Sequence, residues 1–360
     1  KNPKLSINRG KPVRTKKWLQ NITTNKDEAK IAYNVVKKGN LSLFEGSHNP
    51  DEPFSFDGGY NIKKLEIEWA KYFNRKFSIS MNSATSCLYA SIGALNIGYG
   101  DEVIVSPFTM TACAIAPLIY GAIPVFADVE DDTGCISVNS LKKKISKKTK
   151  AIIVVHQFGF PAQMDQILKI CKKKNIKIIE DCAQAYDTKY KGRKVGTFGD
   201  IGIFSLNVNK TIQTGEGGIC VTNSQDLNYR LRLIRNHGEA VVSAAKYKNI
   251  SNIAGYNYRL TELSAAIALS QLKKLKSLNR KRLSLVNFLQ RNLRKFRFIK
   301  LMDSRSQCKK CNCKSGKKCF NSFYVFPFLF IKNKINLTIK KFVNLAMSEG
   351  IIFYQGYTKP

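Results

Sequence analysis

The hydrophobic positions of this chain follow two periods. Short apolar runs bounded by turn residues, such as Phe77–Met81, 151–156 and 201–206, predict buried strands. Between them, apolar residues recur at helical spacing, as in Lys26–Lys38 and Met164–Lys174, which predicts amphipathic helices. The alternation of strands and helices predicts an α/β fold with a large, doubly wound domain around a mainly parallel sheet.

The last third of the chain changes to a longer helical pattern. Apolar side chains at helical spacing extend from 261 to 295 and predict one long helix. A strand at 322–331 and a helix at 339–348 are predicted beyond it, which favours a smaller α+β domain. We therefore predict a large domain with an N-terminal arm at residues 1–250, and a bridging helix with a small C-terminal domain at 251–360.

The chain is strongly basic, with 60 lysine and arginine residues, 25 aspartate and glutamate residues and a formal net charge of +35. Residues 273–341 hold 21 basic residues and one acidic residue, so this segment is a candidate surface for nucleic acid or another polyanion. Lysine outnumbers arginine by 46 to 14, and lysine is the well-hydrated surface cation whereas arginine suits phosphate recognition. The composition therefore favours solvated helix faces over nucleic-acid binding.

The ten cysteines of the chain fall into two groups. Most occur singly inside apolar patterns, which predicts reduced core residues rather than a disulfide framework. Cys308, Cys311, Cys313 and Cys319 lie close together in sequence and match the ligand number of structural zinc, but the usual spacing of two ligand pairs is missing. Zinc binding and free thiols in an inserted loop both stay open, and the spacing favours free thiols.

The first residues of the sequence give an expectation for the location of the protein in the cell. Residues 1–21 are basic and polar and contain no apolar run of signal-peptide or membrane-spanning length. We therefore expect a cytoplasmic protein without membrane attachment. At 360 residues the chain can bury a large core and form two domains.

Two charged residues stand at the ends of neighbouring predicted strands. An apolar run delivers Glu180 and Asp181, and the next run leads to Lys210, 29 positions after Asp181. Ligands of such sheets bind outside the carboxyl ends of the strands, so Asp181 and Lys210 are expected to face one crevice. Pyridoxal phosphate needs a lysine for its Schiff base and a carboxylate for its pyridine nitrogen. The alternative is that Asp181 caps a turn and Lys210 is a solvated lysine.

A second candidate feature follows the predicted strand Phe77–Met81. The sequence Asn-Ser-Ala-Thr at 82–85 opens a helix, and the free amides and positive dipole of a helix start suit a phosphate group. Thr85 could add a hydroxyl group. An ordinary helix N-cap explains the same residue types.

Five blocks of sequence resemble those of the DegT/DnrJ/StrS sugar aminotransferases, which are fold-type I pyridoxal phosphate enzymes. The blocks occur in the family's order at 82–88, 180–184, 204–218, 235–238 and 255–259. The resemblance extends from about residue 11 to 357. Relatives continue beyond this point, so we expect a truncated small domain.

The resemblance implies a role for each matching residue. Lys210 is the catalytic lysine that binds the cofactor and then acts as general base and acid, and Asp181 holds the pyridine nitrogen. The other implied cofactor contacts are Gln184 at the phenolic oxygen, Ala84, Thr85 and Ser205 at the phosphate, Met110 against the ring, and Asn257 at the phosphate of the neighbouring subunit.

The resemblance also implies an activity. We expect a pyridoxal 5'-phosphate-dependent aminotransferase that converts a nucleotide-linked keto sugar, with glutamate as amino donor, in a homodimer with shared active sites. A cyclitol aminotransferase would use the same residues. Dehydratases of the family often carry histidine where this chain has Lys210, which disfavours that activity. The non-enzymatic alternatives are a cofactor-binding regulator and a polyanion-binding protein.

Overall fold

A computed structural model describes residues 4–18, 22–45, 55–238, 247–302 and 319–356. Contacts divide the chain into two compact units. The large unit comprises Thr23–Ser284 and Asp303–Phe326, and the small unit comprises Lys1–Ile22, Leu285–Met302 and Pro327–Pro360. The domain boundary predicted between residues 250 and 251 stays a prediction.

The large unit contains a seven-stranded sheet. Its strands are β1 (Phe77–Met81), β2 (Glu102–Val105), β3 (Ile123–Phe126), β4 (Thr149–Val155), β5 (Lys177–Asp181), β8 (Ile201–Ser205) and β9 (Gly218–Thr222). Their order across the sheet is β1-β9-β8-β5-β4-β2-β3. A separate small hairpin joins β6 (Lys189–Tyr190) to β7 (Arg193–Lys194). In the seven-stranded sheet, β3, β2, β4, β5 and β8 pair in parallel. Strand β9 pairs antiparallel with both of its neighbours, β8 and β1. The predicted α/β fold around a mainly parallel sheet is confirmed.

Within the described residues, helices accompany the sheet and a long helix follows them. They are α1 (Lys26–Lys38), α2 (Tyr60–Phe73), α3 (Ala84–Ala94), α4 (Ala112–Leu118), α5 (Val138–Lys144), α6 (Met164–Lys174), α7 (Gln225–Arg235) and α8 (Glu262–Leu293). The long helix predicted at 261–295 corresponds to α8. The single cysteines at 87, 113, 135, 171, 182 and 220 are buried and free, as predicted.

Aromatic packing fastens α2 to the sheet. Trp69 and Phe73 of α2 are buried against Phe204 of β8, with ring centroids 5.7 and 4.1 Å apart. Tyr186 contacts the same group at 6.2 Å from Trp69. Buried aromatic pairs of this kind add to the hydrophobic stabilisation of the core, so the strand that leads toward Lys210 is rigidly supported.

The small unit is built from the antiparallel pair β10 (Ile299–Leu301) and β11 (Phe328–Phe330) and the helix α9 (Ile339–Ser348). Phe298 packs on Phe330 and Phe342, with ring centroids 5.9 and 5.8 Å apart. The carboxylate of Glu349 accepts hydrogen bonds from the backbone N–H groups of Ser6 and Val13 (2.8 and 2.9 Å). The N-terminal segment is thereby tied to the end of α9.

Of two further sequence expectations, the structure contradicts part of one and leaves the other untested. The strand predicted at 322–331 is wrong over its first part, since only Phe328–Phe330 is a strand. Backbone N–H groups of Ser322 and Tyr324 instead donate to the carbonyl groups of Gly159 and Phe158. The cysteine cluster stays untested, because three of its members, at 308, 311 and 313, lie outside the described residues.

Within the described ranges, every helix lacks the combination of length and hydrophobicity that a transmembrane span needs. The expectation of a cytoplasmic location stays a prediction.

A buried ion cluster joins α2, β1 and α7. Glu66 accepts hydrogen bonds from Arg232 and Arg235, each at 2.8 Å, and from the backbone N–H of Ser80 at 2.8 Å. Arg235 is fully buried and Glu66 is 5% exposed. Removal of one member of a buried ion pair leaves an uncompensated charge in the core.

We predict that Glu66→Ala lowers the free energy of unfolding by about 3–5 kcal/mol, because the fully buried Arg235 loses its carboxylate partner and Arg232 keeps only Asp57. Glu68→Ala, on the exposed side of the same helix, is the matched control and should change stability by no more than about 0.5 kcal/mol. Urea unfolding followed by circular dichroism measures both values. Equal stabilities of the two variants would contradict the structural role of the cluster.

Candidate functional site

Asp181 is the last residue of β5 and is nearly buried, with 7% of its surface exposed. Its Oδ1 accepts a hydrogen bond from the backbone N–H of Ala183 (2.9 Å), and its Oδ2 accepts one from the thiol of Cys113 (3.3 Å). An ionised carboxylate can accept about four hydrogen bonds. Among the described residues Asp181 has no ion-pair partner, so a buried negative charge is left with acceptor capacity to spare.

Glu180 immediately precedes Asp181 and has the opposite character. Its side chain is fully buried, and successive side chains of a strand point to opposite faces of the sheet. Its two oxygens accept hydrogen bonds from Nε2 of His156 (3.0 Å) and from the N–H groups of Gly196 (2.8 Å), Phe198 (2.6 Å) and Gly199 (2.7 Å). Burial by itself raises the pKa of Glu180, but these hydrogen bonds outweigh it and hold the pKa below its usual range.

His156, Glu180 and Cys182 could in principle hold a metal ion, since one ligand atom of each lies within 4.8 Å of the others. The ligand atoms of His156 and Glu180 already take part in hydrogen bonds. Nδ1 of His156 accepts from the N–H of Ala162 (3.1 Å), so Nε2 carries the proton that it donates to Glu180. Burial raises the pKa of the Cys182 thiol well above its usual range. His156 and Glu180 therefore form a hydrogen-bonded pair, and the thiol of Cys182 beside them keeps its proton.

Lys210 lies in the loop between β8 and β9. Backbone hydrogen bonds close this loop, from the N–H of Lys210 to the carbonyl of Asn207 (2.9 Å) and from the N–H of Leu206 to the carbonyl of Gly217 (2.7 Å). Burial lowers the pKa of Lys210, and the charge of Asp181 acts in the opposite direction. Strands β5 and β8 are parallel neighbours, with Asp181 opposite Ile203, so the end of β5 and the loop that carries Lys210 lie at the same edge of the sheet.

The start of α3 forms the third part of the site. The side chain of Ser83 caps the helix by accepting from the N–H of Ser86 (3.0 Å), as the N-cap interpretation predicts. Gly218 of β9 passes so close that an added Cβ would lie 2.4 Å from the Ser83 carbonyl group and 2.5 Å from the nitrogen of Ala84. Glycine is therefore required at this position.

The register of the sheet brings Ser205 to this helix start. Gly218 pairs with Ser205 of β8 on one side and with Met81 of β1 on the other. Ala84 and Thr85 form the first turn of α3 and are partly exposed, whereas Ser205 is buried. Amide and hydroxyl groups thus gather near one point beyond the strand ends.

Three further predicted site residues, Gln184, Met110 and Asn257, have different surroundings. Oε1 of the buried Gln184 accepts from the N–H of Phe158 (2.8 Å). Met110 is 54% exposed. The backbone carbonyl of Asn257 accepts from the side chain of Asn82 (3.4 Å), so Asn257 lies beside the α3 start of its own chain. The expectation that Asn257 serves a neighbouring subunit stays a prediction.

Sequence reasoning missed several residues around Lys210. The ammonium of Lys210 lies 4.6 Å from the centre of the Tyr324 ring, a cation–π distance. The N–H of Tyr324 donates to the carbonyl of Phe158, which adopts a left-handed conformation at φ +55°. Arg282 of α8 donates to the hydroxyl of Thr211 (2.6 Å). No local pattern marks these residues, because Tyr324 and Arg282 lie far from Lys210 in sequence.

These groups fit pyridoxal phosphate. The cofactor offers a protonated ring nitrogen, an aldehyde that reacts with an amine and a phosphate anion. Asp181 is a buried carboxylate with acceptor capacity to spare, Lys210 is an amine with a lowered pKa, and the start of α3 presents backbone N–H groups next to the close approach of Gly218.

Comparison with known proteins agrees with a site for pyridoxal phosphate. Residues 53–353 match the DegT/DnrJ/EryC1/StrS aminotransferase family. GDP-perosamine synthase of Escherichia coli O157:H7 is 43% identical over 219 residues, which cover 61% of this chain and 59% of that protein. A putative L-glutamine:3-amino-2,3-dideoxy-scyllo-inosose aminotransferase of Micromonospora echinospora is 31% identical over 290 residues, which cover 81% of this chain and 66% of that protein. The chain thus spans about three fifths of the length of most curated relatives it matches.

Solved structures agree in fold. The aminotransferase from Psychrobacter cryohalolentis superposes with a TM-score of 0.76 at 28% identity, covering 88% of this chain and 78% of that chain. A Helicobacter pylori aminotransferase involved in the biosynthesis of pseudoaminic acid gives a TM-score of 0.79 at 25% identity, covering 96% and 85%. Because the family match covers far more than half of the sequence, the chain belongs to the DegT/DnrJ/EryC1/StrS aminotransferase family.

Proposed function

We propose that the protein is a pyridoxal 5'-phosphate-dependent aminotransferase that converts a nucleotide-linked keto sugar to an amino sugar. The observation that carries this proposal is that Asp181 and Lys210 lie at the same edge of the sheet, at the end of β5 and in the loop after β8. Asp181 is a nearly buried carboxylate with acceptor capacity to spare, and burial lowers the pKa of the Lys210 amine. Membership of an aminotransferase family supports the same chemistry.

Each part of the site would hold a different part of the cofactor. Lys210 would bind it covalently, Asp181 would pair with its ring nitrogen, and Gln184 would face its phenolic oxygen. Ala84, Thr85 and Ser205 would hold its phosphate at the start of α3. Met110 would pack on the ring, and Asn257 would reach the phosphate of a second subunit. When bound, pyridoxal phosphate supplies an electron sink for proton loss next to the transferred nitrogen.

The lowered pKa of Lys210 matters for proton transfer. Burial disfavours the ammonium form, so a larger fraction of Nζ is neutral near neutral pH than in a solvated lysine. A neutral Nζ can accept a proton and return it to another atom. The ring of Tyr324 lies against the same amine and stabilises its charged form between these events.

The substrate class is supported by the relatives. Their names refer to GDP-linked and UDP-linked amino sugars, and one refers to an inosose. We propose a nucleotide-linked keto sugar as amino acceptor and glutamate as amino donor. A cyclitol acceptor is the second candidate, which the inosose aminotransferase favours.

An apolar surface supports a homodimer. Strand β3 is at one edge of the sheet, and α4 packs next to it. The exposed side chains of this surface are Ile115, Leu118, Ile119, Ile123 and Phe126, each between 40 and 56% exposed. Exposed apolar side chains concentrated on two packed elements favour an interaction site. We propose that a second copy of this chain covers it.

The function is tested by turnover. Wild-type protein with pyridoxal phosphate, glutamate and a GDP-linked or UDP-linked keto sugar should form the amino sugar, detected by mass spectrometry. Lys210→Arg should lose at least about a thousandfold in rate, because arginine cannot bind the cofactor covalently. Lys194→Arg is the matched control, since burial lowers the pKa of that lysine as well, and it should keep its activity.

Two results would contradict this proposal. A colourless wild-type protein that binds no added pyridoxal phosphate would exclude the cofactor. Turnover of scyllo-inosose without turnover of any nucleotide sugar would favour the cyclitol function instead.

We further predict that Asp181→Asn lowers the pKa of Lys210. The negative charge of Asp181 favours the ammonium form, so its removal favours the neutral amine. The measurement is competitive acylation of the cofactor-free protein across pH, with the Lys210 peptide quantified by mass spectrometry. Asp187→Asn, which removes the partner of Lys194, should leave the Lys210 titration unchanged. An unchanged Lys210 titration in Asp181→Asn would show that the two groups are uncoupled.

A single charged substitution tests the proposed dimer surface. Ile119→Asp should shift the protein from dimer to monomer in analytical ultracentrifugation, because an aspartate would be desolvated in an apolar interface. Tyr99→Asp, at a side chain that is 97% exposed, should leave the dimer intact. A dimer that survives Ile119→Asp would place the interface elsewhere.

A further inference from the structure

The thiol of Cys113 contacts the carboxylate proposed to hold the cofactor ring. Cys113 is the second residue of α4 and is completely buried. Its Sγ lies 3.3 Å from Oδ2 of Asp181. Within the described ranges this is the one side-chain hydrogen bond that the structure gives to Asp181, and the other donor is the backbone N–H of Ala183.

The two donors constrain the carboxylate differently. Ala183 is two residues after Asp181, so its N–H moves together with the aspartate. Cys113 belongs to a separate helix and is 68 positions away in sequence. The thiol therefore fixes the carboxylate relative to α4 and to the preceding loop with Met110.

The sulfur atom is the donor of this hydrogen bond. Burial, and then the charge of Asp181, raise the pKa of the Cys113 thiol well above its usual range, so the thiol keeps its proton. A thiol is a weak donor. Four hydrogen-bond donors saturate the acceptor capacity of the Glu180 carboxylate. One amide and one thiol, in contrast, leave most of the Asp181 charge available for a cation.

We propose that Cys113 is a positioning residue for Asp181: its thiol sets the orientation of the carboxylate while leaving the charge free for the protonated ring nitrogen of the cofactor. This inference rests on the proposed function, because the pairing of Asp181 with the ring nitrogen belongs to it. Cys113 itself touches neither the cofactor nor the reacting atoms in this scheme.

The hydrogen bond can be tested in the cofactor-free protein by infrared spectroscopy. The difference between wild type and Cys113→Ala isolates the S–H stretching band of Cys113. A bond to a carboxylate should shift this band to lower frequency than that of Cys171, a buried thiol of α6, isolated with Cys171→Ala. The Cys113 band should move back to higher frequency in Asp181→Asn. Coincidence of the two thiol bands would overturn the contact.

The positioning role is tested by the affinity of the cofactor-free protein for pyridoxal phosphate. Cys113→Ala should bind about tenfold more weakly, because it leaves the carboxylate of Asp181 without its side-chain anchor. Cys113→Ser restores a donor of similar size and should recover most of the affinity, and Cys171→Ala should match wild type. Loss in Cys113→Ala with recovery in Cys113→Ser distinguishes orientation of Asp181 from a general packing defect.

The outcomes separate this inference from the proposed function. Wild-type affinity in a folded Cys113→Ala variant overturns the positioning role and leaves the function intact. If Cys113→Ala does not fold, a Cys113→Ser variant that binds as weakly as Asp181→Asn overturns it instead. Failure of the wild-type protein itself to bind pyridoxal phosphate overturns both.

Discussion

The fully buried carboxylate of Glu180 ties together the strand ends on which the site is built. It accepts from His156, which directly follows β4, and from the turn at 196–199, which leads into β8. An unpaired charge at this depth would cost several kcal/mol, so the four donors and the carboxylate hold one arrangement. Because β4, β5 and β8 are neighbours in the sheet, fixing these loops also fixes Asp181 and the path toward Lys210.

The adjacent carboxylates of Glu180 and Asp181 thus have different roles because their surroundings differ. Glu180 is saturated with hydrogen bonds and stabilises the fold, whereas Asp181 is nearly buried with two donors, one of them a thiol. A buried charge that receives few hydrogen bonds from the protein is available to a cation of a bound ligand. This arrangement is common at functional sites. The same reasoning separates Lys210 from the many solvated lysines, since burial lowers its pKa in the same environment.

Close backbone approach supplies the remaining constraint. Gly218 leaves no space for a side chain beside Ser83 and Ala84, so β9 can lie against the start of α3 and pair with Ser205. The antiparallel direction of β9 returns the chain from the Lys210 loop to this point. The loop that carries the amine and the helix start that suits a phosphate are therefore held by the same strand.

The sequence by itself determined the strand and helix order, because burial imposes periods that local patterns record. It also indicated Asp181, Lys210 and the 82–85 turn, since polar groups at strand ends interrupt apolar runs. Tertiary structure alone decided that Cys113 contacts Asp181, that Tyr324 lies over Lys210, and that the first part of the 322–331 segment bonds to Phe158 and Gly159 instead of forming a strand. These contacts join residues distant along the chain, and hydrophobic periodicity carries no information about which distant residues meet.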